Sequence, residues 1–511
     1  MIRFPLQPAV ALYTADQIKQ IEKAYAAEVS DGMFQLMKRA GSAVFKLISM
    51  QWPEARRILI LAGKGNNAGD GFVVAKLAAE KRLKVTLCCI EAEQCLEGDA
   101  KRAYEQMPQR VIDPVDVSQL NYQKYDLIVD AMLGTGLKGG PKGAYLSCIN
   151  SANASGLPIL SIDIPTGLEA DTGFVYSDAI KAAHTVTFVG YKKGLYTGAA
   201  ANFRGQVKLA KLDIPDKYFD QGPFHLFSQN WHSIKHRLKP RPVACHKGMF
   251  GHTIVIGGNQ GMSGAAILAS RASARSGSGL TSAWVAADCA ASIVNHTPEV
   301  MAKGIALNQI DGMVKRLEKQ ATTFVIGPGL GMDDWSQAWI DSLSKSAATR
   351  QCAQVWDADG LNLLAKMDSA DINYHNHHRI LTPHPAEAAR LLRTSTYSIE
   401  QDRFAAAQAI VDLFGGVCVL KGNGTIIVDQ KGFQAVCPVG NPGMAAGGMG
   451  DVLAGIIGAL LSQGHSLMDA AVLGVCIHGE AADRAAGPKG YYRGLMASDL
   501  FSHFSRLLNP S

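Results

Sequence analysis

Short apolar runs of strand type alternate with segments whose apolar side chains return every three or four positions, and the alternation continues along most of the 511 residues. In the first half the strand-like runs are RILILA (57–62), KVTLCCI (84–90), YDLIVDAML (125–133), PILSIDI (158–164) and HTVTFVG (184–190). A helical segment precedes them. Between 14 and 49, Ile18, Ile21, Met33, Leu36, Met37, Val44, Leu47 and Ile48 fall into two helix-spaced groups parted by Ser30, Asp31 and Gly32. The rhythm breaks from Asp213 to about Pro242, where Pro, Gly, His and Lys gather, and a new series begins at HTIVIGG (252–258). Strands alternating with helices predict parallel sheets covered by helices, and this length exceeds what one core supports. The pattern therefore predicts an α/β protein with a domain at 1–222, a linker at 223–242 and a second domain at 243–511.

Two glycine-rich loops interrupt this pattern where chemistry is expected. NPGMAAGGMGD (441–451) leaves backbone N–H groups uncovered just before the helical series Val452, Leu453, Ile456, Ile457, Leu460. A helix start of this kind stabilises an oxyanion, and Asp451 placed there can take a proton from a hydroxyl that attacks phosphorus. Read alone, the same loop would also serve as a tight turn that packs a helix on a sheet. The second loop, GKGNNAGDG (63–71), joins RILILA to the helical series from Phe72 to Ala78. It matches neither the dinucleotide nor the triphosphate glycine motif. It offers backbone N–H groups with Asn66, Asn67 and Asp70, side chains suited to hydroxyls or a hard cation.

Composition narrows the partners. Lys plus Arg number 50 against 44 Asp plus Glu, and the net charge of +6 is spread without basic blocks, which disfavours nucleic acid and leaves small anions compatible. The apolar stretch near 452–461 is too short to span a bilayer, and the start MIRFPLQPAVAL lacks the apolar region of a secretion signal, so a cytoplasmic location without membrane association is expected. Ten cysteines without CxxC spacing fit a reducing compartment.

In open parallel sheets ligands sit beyond the carboxyl ends of the strands. In the first domain those positions hold Asn66, Asn67 and Asp70, then Asp130 with LGTGLKG (133–139), then Asp163 in IDIPTG with Thr166. Such oxygens could hold a cation, and Asp163 could act as acid or base; Asp163 and Asp130 could equally be cap or turn residues. In the second domain the strand ends lead to GGNQGMSGA (257–265), GPGLG (327–331), WDADGLN (356–362), TPHPAE (382–387) and LKGNGT (420–425). Lys421, Thr425 and the intervening amides could hold a nucleotide phosphate, Asp357 or Asp359 could act through magnesium, and solvated turns are the alternative. His375, His377 and His378 lie between periodic segments without ligand spacing and read as a solvated surface loop, whereas His384 follows the strand ILT between two prolines.

These motifs in this order resemble the family of bifunctional NAD(P)H-hydrate repair enzymes over nearly the whole chain. LMKRAG, GKGNNAGDG, DAMLGTGLKG and IDIPTGL resemble its NAD(P)H-hydrate epimerase half; GPGLG, DADGLN, TPHPAE, LKGNGT and NPGMAAGGMGD resemble its ADP-dependent dehydratase half. Ala68 replaces a more usual Gly, Thr166 a more usual Ser, and Lys38 an acidic or amide residue. The resemblance implies a Rossmann-like three-layer domain followed by a ribokinase-like domain. For the first site it implies potassium near Asn67, Asp130 and Thr166, and hydrate held by Asn66, Asn67, Ala68, Gly69 and Asp70, by Gly134, Thr135, Gly136, Leu137, Lys138, Gly139 and Gly140, and by Asp163. Asp163, with Lys138 as proton donor, would invert C6 of the hydrated ring.

For the second site the resemblance implies hydrate against Ala265, Gly331, His384 and Asp451, and magnesium-ADP on Lys421, Gly422, Asn423, Gly424, Thr425 and Gly450. Asp451 would deprotonate the C6 hydroxyl for attack on the terminal phosphate, and phosphate would then leave to give NAD(P)H and AMP. A homo-oligomer is implied as well. Two other readings stay open at this point: a small-molecule kinase in the second half, which would leave its product phosphorylated, and a non-catalytic binding module in the first.

Overall fold

The structure is a computed structural model that describes residues 9–108, 111, 120–137, 139–219, 226–317, 322–367 and 376–510. Chain contacts divide it into two compact units, one of residues 11–224 and one of residues 225–511 together with residues 9–10.

In the first unit the strands are β1 (Val10–Tyr13), β2 (Arg57–Ala62), β3 (Lys84–Cys89), β4 (Leu127–Ala131), β5 (Ile159–Ile162), β6 (His184–Phe188), β7 (Tyr191–Lys192) and β8 (Gln206–Ala210). Six form a parallel sheet in the order β3-β2-β4-β5-β6-β8, and β1 pairs with β7. β2 explains the layering. Ile58, Ile60 and Ala62 face one apolar cluster, with Ala15–Ala26, Gly32–Gln51 and Asn66–Glu80 above it; Leu59 and Leu61 face another, with Cys148 and Ile149 of the helix Ala144–Ala154. Strand side chains alternate faces, so an unbroken apolar run buried on both sides produces the three layers expected of a Rossmann-like domain.

The second unit contains β9 (Leu226–Ser228), β10 (His252–Ile256), β11 (Leu280–Ala286), β12 (Met301–Ile305), β13 (Thr323–Ile326), β14 (Ala353–Trp356), β15 (Arg379–Leu381), β16 (Val417–Leu420), β17 (Thr425–Asp429) and β18 (Gln434–Cys437). Their order is β12-β11-β10-β13-β14-β15-β16-β17-β18-β9. The sheet is parallel from β12 to β16, then turns antiparallel through β17 and β18. This departs from the all-parallel expectation, because KGNGT is short enough to close a hairpin and forms one. A second departure concerns the stretch read as a linker, 223–242: β9 pairs with β18, and Trp231 and Ile234 are buried in the core of this unit. Its prolines and charges masked two short elements whose apolar residues have partners only in the folded chain.

The helix Met449–Ser462 is buried nearly all round and crosses Ser263–Arg275 at close range. A Cβ at Gly455 would lie 2.1 Å from the Ala269 carbonyl, so only glycine permits this approach. The packing fixes where the helix begins, with Gly448 at φ +85° as its cap and Asp451 in its first turn. Among the described residues, no helix is long and apolar enough to cross a membrane.

Candidate functional sites

In the first unit a cavity of about 620 Å³ opens at the carboxyl edge of the sheet. It is lined by Asn66, Asn67 and Asp70 after β2, by Gly134, Thr135, Gly136 and Leu137 after β4, and by Asp163 after β5. Asp163 sits at φ +64°, the apex of a tight turn in which the Ile164 N–H donates to the Ile162 carbonyl. Val189 repeats this geometry at φ +65°, with the Gly190 N–H bonded to the Phe188 carbonyl. Strained backbone of this kind costs about 1–3 kcal/mol per residue and persists where the surroundings impose it. Here the two turns aim Asp163 and Lys192 at each other. The Lys192 ammonium, wholly buried, donates to Asp163 Oδ1, to Thr187 Oγ1 at 3.1 Å and to the Phe188 carbonyl at 2.9 Å. The Phe188 N–H, at 3.1 Å, and the Thr187 hydroxyl, at 3.3 Å, complete the contacts on Oδ1.

Glu22, Asp70 and Asp99 also line the cavity. Burial pushes Glu22 up to about 7, opposed by Lys192 and reinforced by Asp163. Burial, with Asp163 and Glu22 adding to it, raises Asp70 well above the ordinary carboxylate range.

Deeper lies Asp130, fully buried. Its Oδ1 accepts from Thr166 Oγ1 at 2.7 Å and Met132 N–H at 3.3 Å, and its Oδ2 from Ser161 Oγ at 2.8 Å and Thr166 N–H at 2.9 Å. Burial raises its carboxyl and the bonds from Thr166 and Ser161 oppose the rise. Asn67 is the exception to this satisfaction: both ends of its amide are buried without a partner. An orphaned buried amide is costly and marks a ligand position. Gly134 borders it, since a Cβ there would lie 3.4 Å from Asn67 Cβ.

In the second unit the chemistry gathers at the start of Met449–Ser462. Lys421, at the head of the β16–β17 turn, is tied by its N–H to the Pro383 carbonyl at 2.8 Å, and the buried Arg403 guanidinium holds the carbonyls of Leu420 and Lys421 at 3.3 and 3.2 Å. The Lys421 ammonium meets Asp357 Oδ1 at 2.6 Å and Glu387 Oε2 at 3.8 Å. Thr382 Oγ1 donates to the same Asp357 oxygen at 2.8 Å. A Cβ on Gly450 would stand 3.4 Å from both Asp357 Oδ2 and Lys421 Nζ, which places this pair beside the helix start.

Burial of Lys421 favours loss of its proton, but Asp357, Glu387 and Asp451 outweigh that and raise its pKa. Burial, then Asp357, lifts Asp451 to about 7 against the pull of Lys421. Glu387 reaches about 7, again chiefly by burial. A carboxylate with that affinity for protons, beside uncovered amides and a lysine, is equipped to take a proton from a hydroxyl while charge develops on a phosphate.

The remaining predicted residues fall around this centre. His384 caps the helix Pro385–Leu391: its Nδ1 accepts the Ala386 N–H at 3.1 Å, and its Nε2 lies 3.3 Å from Glu387 Oε1. Nδ1 must therefore carry the lone pair, and burial lowers the imidazole pKa further. The Gly331 N–H donates to Asp359 Oδ2 at 2.9 Å, and Ala265 abuts Gly329. Thr425 Oγ1 donates to the Gly422 carbonyl at 3.1 Å within the turn, Asn423 is exposed, and Gly424 is buried.

Ala68 and Gly69 lie in the first turns of Asn66–Glu80 outside the cavity lining, Gly69 against Met37, and Gly139 and Gly140 also stand outside that lining. Lys38 is an exposed partner of Asp31 at 2.7 Å. His377 and His378 are exposed, with His377 bonded to Gln430; Lys138 and His375 lie outside the described residues. Among the described residues, no group of three or more His, Cys, Asp or Glu side chains is arranged to hold a metal ion.

Sequence reasoning missed Lys192, Glu22, Glu387 and Arg403. Lys192 stood in a plain signal, a lysine pair directly after an apolar strand (VGYKKG), but lysines are usually solvated. His478 was missed too: it is buried with Nε2 unpartnered, and burial, then Lys421, lower it to about 4.

A glycine-capped helix start with Asp451 in its first turn, set on this sheet, defines the second unit as a ribokinase-like domain. A ribokinase-like superfamily protein from Enterococcus faecalis shares the fold at TM-score 0.50 and 26% identity, over 57% of this chain and 97% of its own. A family model described as NAD(P)H-hydrate dehydratase matches residues 253–506, and one described as YjeF-related protein N-terminus matches 33–194. The bifunctional NAD(P)H-hydrate repair enzyme of Vibrio cholerae is 43% identical over 97% of this chain and 98% of its own; that of Coxiella burnetii is 40% identical over 98% and 99%. The chain belongs to the family of bifunctional NAD(P)H-hydrate repair enzymes.

Proposed function

We propose that this chain restores hydrated NADH and NADPH, interconverting the R and S hydrates at C6 in its first unit and dehydrating the S form with ADP in its second. The observation that carries the second half is Asp451, its carboxyl lifted to about 7 at a glycine-lined helix start beside Lys421 and Asp357. Asp451 takes the proton of the C6 hydroxyl, whose oxygen attacks the terminal phosphorus of ADP. The amides of residues 447–450 stabilise the charge on the transferring group, and Lys421 through Thr425 with Gly450 hold the nucleotide. Phosphate is a better leaving group than hydroxide, and the ring nitrogen's lone pair expels it, leaving NAD(P)H, AMP and phosphate. Ala265, Gly331 and His384 face the hydrate. Asp357 and Asp359 suit a magnesium ion bound with the nucleotide, which supplies charge neutralisation on the phosphates.

In the first unit Asp163 performs the proton transfer, and the hydrate rests on the 66–70 and 134–140 loops, with Lys138 as a proton donor. The orphaned Asn67 amide beside the Asp130–Thr166 network supports a potassium site in which Asn67 and Thr166 oxygens would hold the ion, and the ion would supply positive charge to orient the hydrate. Because Asp130 already accepts four hydrogen bonds, its part there is to orient Thr166 and the loop after β4. A cytoplasmic location and a homo-oligomeric state belong to the same reading.

The test follows NADH absorbance after the purified chain, ADP and magnesium meet an epimer mixture of NADH hydrate. Full ADP-dependent recovery, faster than spontaneous epimerisation, is the expected result. Recovery that stops at the S share removes the epimerase, and a stable phosphorylated product replaces the dehydratase by a kinase.

A further inference from the structure

Inversion at C6 by loss of the hydroxyl and re-addition of water needs protons handled on both faces of the ring: one delivered to the departing oxygen, one removed from the water that replaces it. A single carboxyl on one side cannot reach both. The cavity of the first unit offers more than one. Glu22 lines it from the helix Ala15–Ala26, a wall separate from the strand end that carries Asp163, and it lies outside the residues 33–194 matched by the YjeF-related family model. The buried, unpartnered amide of Asn67 lines the same space and marks it as a ligand position. Lys19 and Lys23 of the same helix also reach the cavity.

We propose that Glu22, in place of Lys138, is the second catalytic acid/base of the epimerase, working from the helix wall of the cavity while Asp163 works from the strand end. The proposal rests on the epimerase reading above. Glu22 in its acid form gives its proton to the C6 oxygen. The C6–O bond breaks, the nitrogen lone pair becomes the second bond of N1=C6, and water departs. A water on the Asp163 side then adds to C6 and loses a proton to Asp163, while the N1=C6 pair returns to nitrogen. The proton passes from Asp163 back to Glu22 through solvent, so each cycle exchanges one oxygen and returns every proton. The reverse inversion runs the same steps backwards. Burial, opposed by Lys192 and reinforced by Asp163, sets the Glu22 carboxyl at about 7, where acid and base forms coexist near neutrality.

The full-length chain, Glu22→Gln, Glu22→Asp and Asp70→Asn are compared for R-to-S conversion of NADH hydrate by chromatography, and for ADP-dependent dehydration of pure S hydrate. Glu22→Gln is expected to slow inversion by about 10²- to 10³-fold and to leave dehydration within about twofold. Glu22→Asp, which keeps the acid, is expected to recover part of the loss. In ¹⁸O-water the parent chain should place one solvent oxygen at C6 per inversion. Three results overturn the proposal: inversion by Glu22→Gln at the parent rate, inversion that retains the original oxygen, or equal losses in Glu22→Gln and Glu22→Asp with a lowered unfolding midpoint. Loss confined to Asp70→Asn would also overturn it and move the role to that residue. A parent chain that inverts nothing sinks the epimerase reading itself and is told apart from these by the parent control.

Discussion

The two sites solve different problems with the same pairing of lysine and carboxylate. In the first unit the ammonium of Lys192 is wholly enclosed and spends its three donors on Asp163, Thr187 and the Phe188 carbonyl. It cannot reach a substrate, so its work is to hold Asp163 Oδ1 in place. In the second unit Lys421 is only partly enclosed, stands among Asp357, Glu387 and Asp451, and borders Gly450 at the helix start. An ammonium placed there can turn from a carboxylate to an arriving phosphate. A buried, fully bonded lysine suits proton chemistry on a neutral ring; an accessible one suits a charged group that arrives and leaves.

The largest expected effect separates the sites outright. Asp451→Asn should lower ADP-dependent dehydration of pure S hydrate by about 10³- to 10⁴-fold while inversion of the R hydrate continues at the parent rate. Loss of both activities in a folded variant would mean the sites are not independent.

Next in size is Lys192→Met, which strands Asp163 beside an apolar side chain. Breaking a buried pair from one side costs about 3–5 kcal/mol, so denaturant unfolding of the first unit should shift by that order and inversion should fall with it. The same substitution should leave dehydration unchanged; a variant as stable as the parent would show that the Lys192 contact is incidental.

A smaller, opposite pair of effects is expected from pH. Asp451 works as a base and lies near 7, so dehydration should rise with pH through that value and fall about tenfold per unit below it. Glu22 works as an acid at a similar value, faced by Lys192, Asp163, Lys19 and Asp70, so inversion should decline as pH rises past 7. Parallel pH profiles for the two activities would contradict the assigned roles.

The smallest effect concerns one methyl group. In Gly450→Ala the new Cβ meets Asp357 Oδ2 and Lys421 Nζ at 3.4 Å, an ordinary contact, so stability should barely change. The methyl covers the helix start where phosphate is to sit, and the KM for ADP should rise about tenfold without effect on inversion. An unaltered KM would place the nucleotide elsewhere.

Much of this was legible in the chain. Strands such as RILILA and HTIVI appear within a residue or two of where the pattern put them, because apolar runs buried on both faces carry an unambiguous signal. The helix start at Asp451 and the oxygens after β2, β4 and β5 were legible for a related reason: glycines and polar residues that interrupt a regular apolar pattern at a strand's end have few purely structural uses. Motif order carried the family, which the long matches to relatives then established.

Only the folded chain decided which side chains meet. Nothing local in VGYKKG distinguishes Lys192 from Lys193, yet the strained turn at Val189 and the parallel register of β5 and β6 bring the former onto Asp163. Glu22 reads as one more polar position on an amphipathic helix until the helix lines the cavity at the sheet edge and half-buries it. The hairpin at 421–425, β9 and the buried Arg403 likewise depend on partners distant in sequence. Periodicity and turn chemistry are local and survive in one dimension; burial, charge pairing and the pKa values they set are properties of contacts, which exist only once the tertiary structure has formed.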